Sequence, residues 1–130
     1  MKSVLFVCTE NSARSQMAEA FFNHYNKNPE FVSISAGTQP SDSIKPLASQ
    51  VMKEVGINLS NQKPKILTLD MAERAERIFT MGCIDSCPLT PPEKTEDWGL
   101  EDPAGKPIEK YRETRDEIEK RVKRVVSELS

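Results

Sequence analysis

The stretch "VCTENSARSQMAE", Val7 to Glu19, decides how the rest of the chain is read. It closes an apolar run, Ser3-Val4-Leu5-Phe6-Val7, and passes through a few polar residues into a helical pattern. That succession marks a buried strand feeding a helix. Cys8 stands at the strand's end and Arg14 just ahead of the helical pattern, with no glycine between them. A loop of this kind aims several backbone N–H groups at one point, and the helix dipole adds partial positive charge there. An oxyanion fits such a place. Arg14 supplies a planar fork for two of its oxygens, and the same positive surroundings favour the thiolate of Cys8. Asn11 takes the turn position that would otherwise want glycine, because asparagine tolerates the left-handed region. The expected anion loop is therefore Thr9, Glu10, Asn11, Ser12, Ala13, Arg14 and Ser15, with Cys8 as its nucleophile.

Outward from the loop, strands and helices alternate. Ser15 to about Asn26 reads as a helix with Met17, Ala20, Phe21 and Tyr25 inward, and Phe31 to Ala36 as a second strand. Ser43 is the expected N-cap of a helix over Lys45–Val55, with Pro46 in its first turn and Gly56 closing it. Pro64 to Glu76 holds short helical turns before a strand over Arg77–Met81. A long helix begins near Ile108, with Tyr111, Ile118, Val122, Val125 and Leu129 on one face. The pattern predicts an α/β fold: one three-layer domain over residues 1–130, a parallel sheet of about four strands flanked by helices. In such sheets ligands bind at the carboxyl ends of strands, where Cys8 falls.

Composition narrows the function. Eighteen basic residues against twenty acidic ones give a net charge of -2, with no basic block to track a phosphate backbone, so nucleic acid is not an expected partner. No apolar stretch is long enough for a membrane, and the N-terminus turns polar too early for a secretory segment, which predicts a cytoplasmic protein. Three cysteines without an export signal argue against a disulfide framework. Cys83, Cys87 and the single His24 make no zinc set, so no metal is expected, and His24 reads as a surface residue.

With these residues in view, the chain resembles the low-molecular-weight tyrosine phosphatases and, more closely, the thioredoxin-coupled arsenate reductases of the same fold. Cys-x5-Arg-Ser with Asn11 inside it follows the first strand, and "RSQMAEAFF", "SAGTQP", "VMKEVGINLS" and "DWGLEDPAGKP" continue the likeness in order. Two positions depart from it. Glu10 stands where relatives commonly carry glycine, and is expected to point outward; Ala13 stands where many carry a second loop cysteine. The resemblance implies Asp102, followed by Pro103, as the general acid. It also implies a thiol cascade. Cys8 attacks arsenate, Cys83 attacks Cys8 and releases arsenite, and Cys87 attacks Cys83, leaving a disulfide for thioredoxin to reduce. Phosphate and sulfate would be oxyanion analogues, and no cofactor is implied. Glu19, with Asn11 and Ser35, corresponds to a monovalent cation site in some reductases, although the helix dipole alone accounts for an acid there.

Two other functions remain in view. A phosphatase of the same family needs only Cys8, and Ala104-Gly105 offers no aromatic wall for a phosphotyrosine ring. A non-catalytic oxyanion-binding redox sensor would need no acid at Asp102. Trp98 is expected to pack beneath the acid loop, and Gly82 to act as a hinge before the cysteine pair.

Overall fold

The computed structural model describes residues 2–82 and 90–129. Four parallel strands, β1 (Lys2–Cys8), β2 (Phe31–Gly37), β3 (Ala75–Thr80) and β4 (Thr95–Asp97), form one sheet in the order β2-β1-β3-β4. Helices α1 (Arg14–Tyr25), α2 (Pro46–Glu54), α3 (Leu69–Arg74) and α4 (Ile108–Leu129) cover it. The alternation of β1 sorts two cores. Val4, Phe6 and Cys8 face the larger one, with Phe21, Phe22, Met52, Ile118 and Val122. Leu5 and Val7 face the smaller one, with Leu67, Ala72 and Ile78. The expected three-layer α/β architecture is what the chain forms. Phe6 is fully buried and its ring meets those of Phe22, Phe79 and Trp98, so truncating it to alanine should cost about 3–5 kcal/mol.

The chain leaves β1 toward β2 on one side and returns through β3 on the other, which makes the carboxyl end of β1 a topological switch point. Cys8, the last residue of β1, pairs in register with Gly37 at the end of β2. A Cβ on Gly37 would stand 2.6 Å from the Thr9 carbonyl oxygen and 2.9 Å from the Asn11 nitrogen. Glycine is required there by the closeness of the loop.

Two local expectations differ from the structure, and one strand falls where none was placed. Lys45, not Ser43, caps α2, and no side chain bonds to that helix start. The Lys45 amide instead donates to the Ser12 carbonyl at 2.9 Å, and Pro46 presets the helical turn at N1 without needing a cap. The strand expected over Arg77–Met81 starts at Ala75 and ends at Thr80. The fourth strand, which the sequence pattern does not place, is the three-residue edge strand Thr95–Asp97.

α3 is the helical turn expected before β3, capped by Thr68, whose Oγ1 accepts from the Met71 amide at 3.1 Å. Helix α4 buries Tyr111, Ile118, Val122 and Val125, the face its spacing predicts. Trp98 is buried against Phe6 and Phe79, in the core of the sheet. Among the described residues no helix is long and apolar enough to cross a membrane.

Candidate active site

The loop from Cys8 to Arg14 joins the end of β1 to the start of α1. Ala13 occupies the N-cap position with no side-chain hydrogen bond, and the first turn carries no acidic residue. An uncapped helix start leaves amide donors without intrahelical partners, and no carboxylate offsets the dipole. Asn11 adopts φ 50°, the left-handed conformation expected of it, and lets the chain turn without glycine.

Cys8 is buried, and its Sγ accepts the Asn11 amide at 3.2 Å and lies 2.8 Å from Ser15 Oγ. The direction of that second contact follows from Asn11. The Lys65 amide, which can only donate, meets Asn11 Oδ1 at 2.8 Å, so Nδ2 faces the other way, toward Ser15 Oγ at 2.7 Å. Ser15 thus accepts from Asn11 and keeps its own proton to donate to Cys8. Two donors converge on one sulfur, an arrangement that suits a thiolate. Gln16, also fully buried, steadies the turn by donating to the Asn11 carbonyl and to Asn11 Oδ1, both at 2.9 Å.

Arg14 is buried at the head of α1. Its Nη1 donates to the carbonyls of Met81 and, at 2.8 Å, Leu100. With Nη1 so occupied, the Nε–Nη2 edge remains, the edge that carries two parallel N–H donors for one anion. Nη2 lies 3.7 Å from Asp102 Oδ2. Asp102 is half-exposed, its Oδ1 accepts the Ala104 amide at 3.0 Å, and the following Pro103 is buried, which fixes the turn. The fold thus gathers Cys8, Asn11 and Ser15 in one cluster and brings Arg14 to Asp102.

Glu10 turns away from the sulfur, as expected. Its Oε1 accepts from Ser41 Oγ at 2.9 Å and Ser12 Oγ at 3.4 Å and lies 3.3 Å from Lys45 Nζ. The Ser41 hydrogen bond, with help from Lys45 and Ser12 and against partial burial, holds its carboxyl below the usual range. The carbonyls of Thr9 and Ser12 accept the amides of Gln39 and Lys45, so the loop's outer side is tied to the segment before α2.

Cys83 and Cys87 lie outside the described residues. Glu19 and Ser35 do meet, Ser35 Oγ donating to Glu19 Oε1 at 2.7 Å. The cation beside that carboxylate is Lys65, whose Nζ is 3.9 Å away. Asn11 is spent on Ser15, Gln16 and Lys65. Gln16 and Lys65 were not read as site residues from the sequence. The only signal was a polar residue within the apolar face of α1, and for Lys65 none. His24 is exposed and packs edge-on against Tyr25.

A buried cysteine at a strand end, an uncapped helix start and a buried arginine thus stand together at a topological switch point of an α/β domain. The model of the low-molecular-weight phosphotyrosine protein phosphatase family matches residues 3–130, and the chain belongs to that family. It is 41% identical to an arsenate reductase of Bacillus subtilis, over 94% of this chain and 93% of that one. An arsenate reductase solved in its phosphate-binding state superposes with a TM-score of 0.85 at 34% identity, covering 100% of both chains. A thioredoxin-dependent arsenate reductase of Corynebacterium glutamicum gives 0.83 at 35% identity, over 99% of this chain and 62% of that one. An arginine phosphatase of Geobacillus stearothermophilus gives 0.86 at 29% identity, over 99% and 93%.

Proposed function

We propose that the protein reduces arsenate to arsenite, with Cys8 as nucleophile, Asp102 as general acid and its three thiols as the source and relay of electrons. The observation that carries this reading is the Cys8 cluster: a buried sulfur with two converging donors at an uncapped helix start, in a chain that has two further cysteines. The similarity to named arsenate reductases over nearly the whole chain supports it.

The Cys8 thiolate attacks arsenic, and the hydroxide that departs takes a proton from Asp102 and leaves as water. Thr9 to Ser15 supply the amides and hydroxyls that surround the oxyanion, and Arg14 neutralises it. Cys83 then attacks the Cys8 sulfur. The electron pair of the sulfur–arsenic bond stays on arsenic, giving arsenite and a Cys8–Cys83 disulfide. Cys87 attacks Cys83 and frees Cys8. The Cys83–Cys87 disulfide is reduced by an external dithiol, for which the thioredoxin-dependent relative makes thioredoxin the candidate. A cytoplasmic setting, where thiols are kept reduced, suits this cycle. Neither a metal nor an organic cofactor enters it.

One paired assay tests the proposal: arsenate-dependent NADPH consumption through thioredoxin and its reductase, beside hydrolysis of an aryl phosphate. Arsenate turnover with weak hydrolysis is the expected result. The arginine phosphatase neighbour favours a second reading, hydrolysis of a phosphorylated residue through Cys8 alone, and strong hydrolysis without arsenate-dependent oxidation would establish it. Neither activity would leave an oxyanion-binding redox sensor.

A further inference from the structure

The guanidinium of Arg14 is held by two carbonyls that belong to distant parts of the chain, Met81 at the exit of β3 and Leu100 in the acid loop. Each sits next to a glycine at positive φ, Gly82 at 87° and Gly99 at 58°, where the backbone has more freedom than at any other residue type. The Trp98 amide ties the two strand ends by donating to the Thr80 carbonyl at 2.8 Å, and beyond that bond something must hold in one frame the two carbonyls that orient Arg14.

Asp97, the last residue of β4, does so. Its Oδ1 accepts three hydrogen bonds, from the Gly82 amide at 2.9 Å, the Gly99 amide at 3.2 Å and Thr80 Oγ1 at 2.9 Å. The Met81–Gly82 peptide is consequently gripped at both poles, its carbonyl by Arg14 and its N–H by Asp97. The same two side chains grip the other segment one residue apart, Asp97 at the Gly99 amide and Arg14 at the Leu100 carbonyl. The two segments also touch: a Cβ on Gly82 would stand 3.1 Å from the Leu100 oxygen. The three donors outweigh partial burial and hold the Asp97 carboxyl below its usual range, so it is a charged acceptor at neutral pH.

We propose that Asp97 is a positioning residue for Arg14, acting through the backbone by holding together the two segments whose carbonyls orient the guanidinium. This rests on Arg14 serving the anion loop, and not on the redox chemistry. Asp97 bonds to Thr80, Gly82 and Gly99, whereas the partners of the Cys8 sulfur are Asn11 and Ser15. Its loss should therefore weaken oxyanion binding while leaving the sheet in place.

The test uses inorganic phosphate as the probe and the whole chain as the protein. Asp97→Ala should raise the phosphate Kd about tenfold, the usual consequence of losing hydrogen bonds to a charged group. In ¹⁵N NMR the Arg14 side-chain N–H signals, slowed by their two carbonyl partners in the unaltered protein, should broaden or merge. A purely structural role would lower the melting temperature and leave those signals and the Kd as they were. Asp97→Asn keeps an oxygen acceptor but loses the charge, and should fall between the two. That variant decides the matter if Asp97→Ala does not fold. Unchanged Kd and Arg14 signals in a folded Asp97 variant would overturn the inference alone. Absence of phosphate binding to the unaltered protein would overturn both it and the oxyanion reading.

Discussion

The surroundings of the Cys8 sulfur and those of the Arg14 guanidinium belong to one site, yet they are held in different ways. Within the loop, the bonds around the Cys8 sulfur join residues close in the chain: Cys8 to Asn11 and Ser15, Asn11 to Ser15 and Gln16. The guanidinium of Arg14 is held by backbone groups far away in the chain, the carbonyls of Met81 and Leu100, at separations of 67 and 86 residues. Local side-chain bonding leaves a signature in residue type and spacing. Backbone carbonyls leave none, because every residue has one.

The comparison breaks most directly at Cys8. Cys8→Ser should abolish turnover while keeping phosphate binding, since the loop amides and Arg14 are untouched. Residual reductase activity, measured by arsenite release, would remove the nucleophile from the loop. On the Arg14 side, Asp102→Asn should slow formation of the first Cys8 adduct by about 10²- to 10⁴-fold, the usual contribution of a positioned acid. Rapid-mixing measurements that show a normal first step would assign the proton to another group.

That contrast also explains how much could be read without coordinates. The strand-loop-helix junction, the left-handed Asn11 and the buried face of α4 were legible because each depends on periodicity or on one residue's own conformational preference, and the outward Glu10 because a carboxylate is disfavoured beside an anion. The strand β4 was not. Thr95, Glu96 and Asp97 carry no apolar alternation; they are an edge strand through pairing with β3 and through the burial of the next residue, Trp98. Ser43 misled as a cap because the Lys45 amide is directed to Ser12 across the loop, a tertiary contact that no local rule contains. Asp97 stands among Glu96, Glu101 and Asp102 with nothing in its residue type to set it apart, and its donors include two glycine amides, which have no side chain to announce them.

Two smaller effects sharpen the contrast. Asn11→Ala removes the donor to Ser15 and the acceptor for Lys65 and Gln16, and places alanine at φ 50°. Together these should cost about 2–4 kcal/mol in urea unfolding. Asn11→Gly loses the same bonds without the strain and should cost less; equal losses would show that bonding alone sets the turn.

The smallest effect is at Glu10. Its carboxyl lies below the ordinary 4.5, so the stability it contributes is complete above that pH and disappears as pH falls through the lowered folded value. Glu10→Gln should therefore be less stable than the unaltered protein near neutral pH, by under about 1 kcal/mol because the group is partly exposed, and the gap should close on acidification. A gap that widens as pH falls would contradict the tie to Ser41 and Lys45.

The central claim, that the loop thiol and the other two thiols form one electron relay, is tested most directly by a single turnover of Cys87→Ser with arsenate, followed by mass spectrometry of its thiols. The account predicts about one arsenite per protein and arrest at a Cys8–Cys83 disulfide, because only the final transfer is blocked. Sustained multiple turnover with thioredoxin, or arsenite release with Cys8 and Cys83 still reduced, would contradict it.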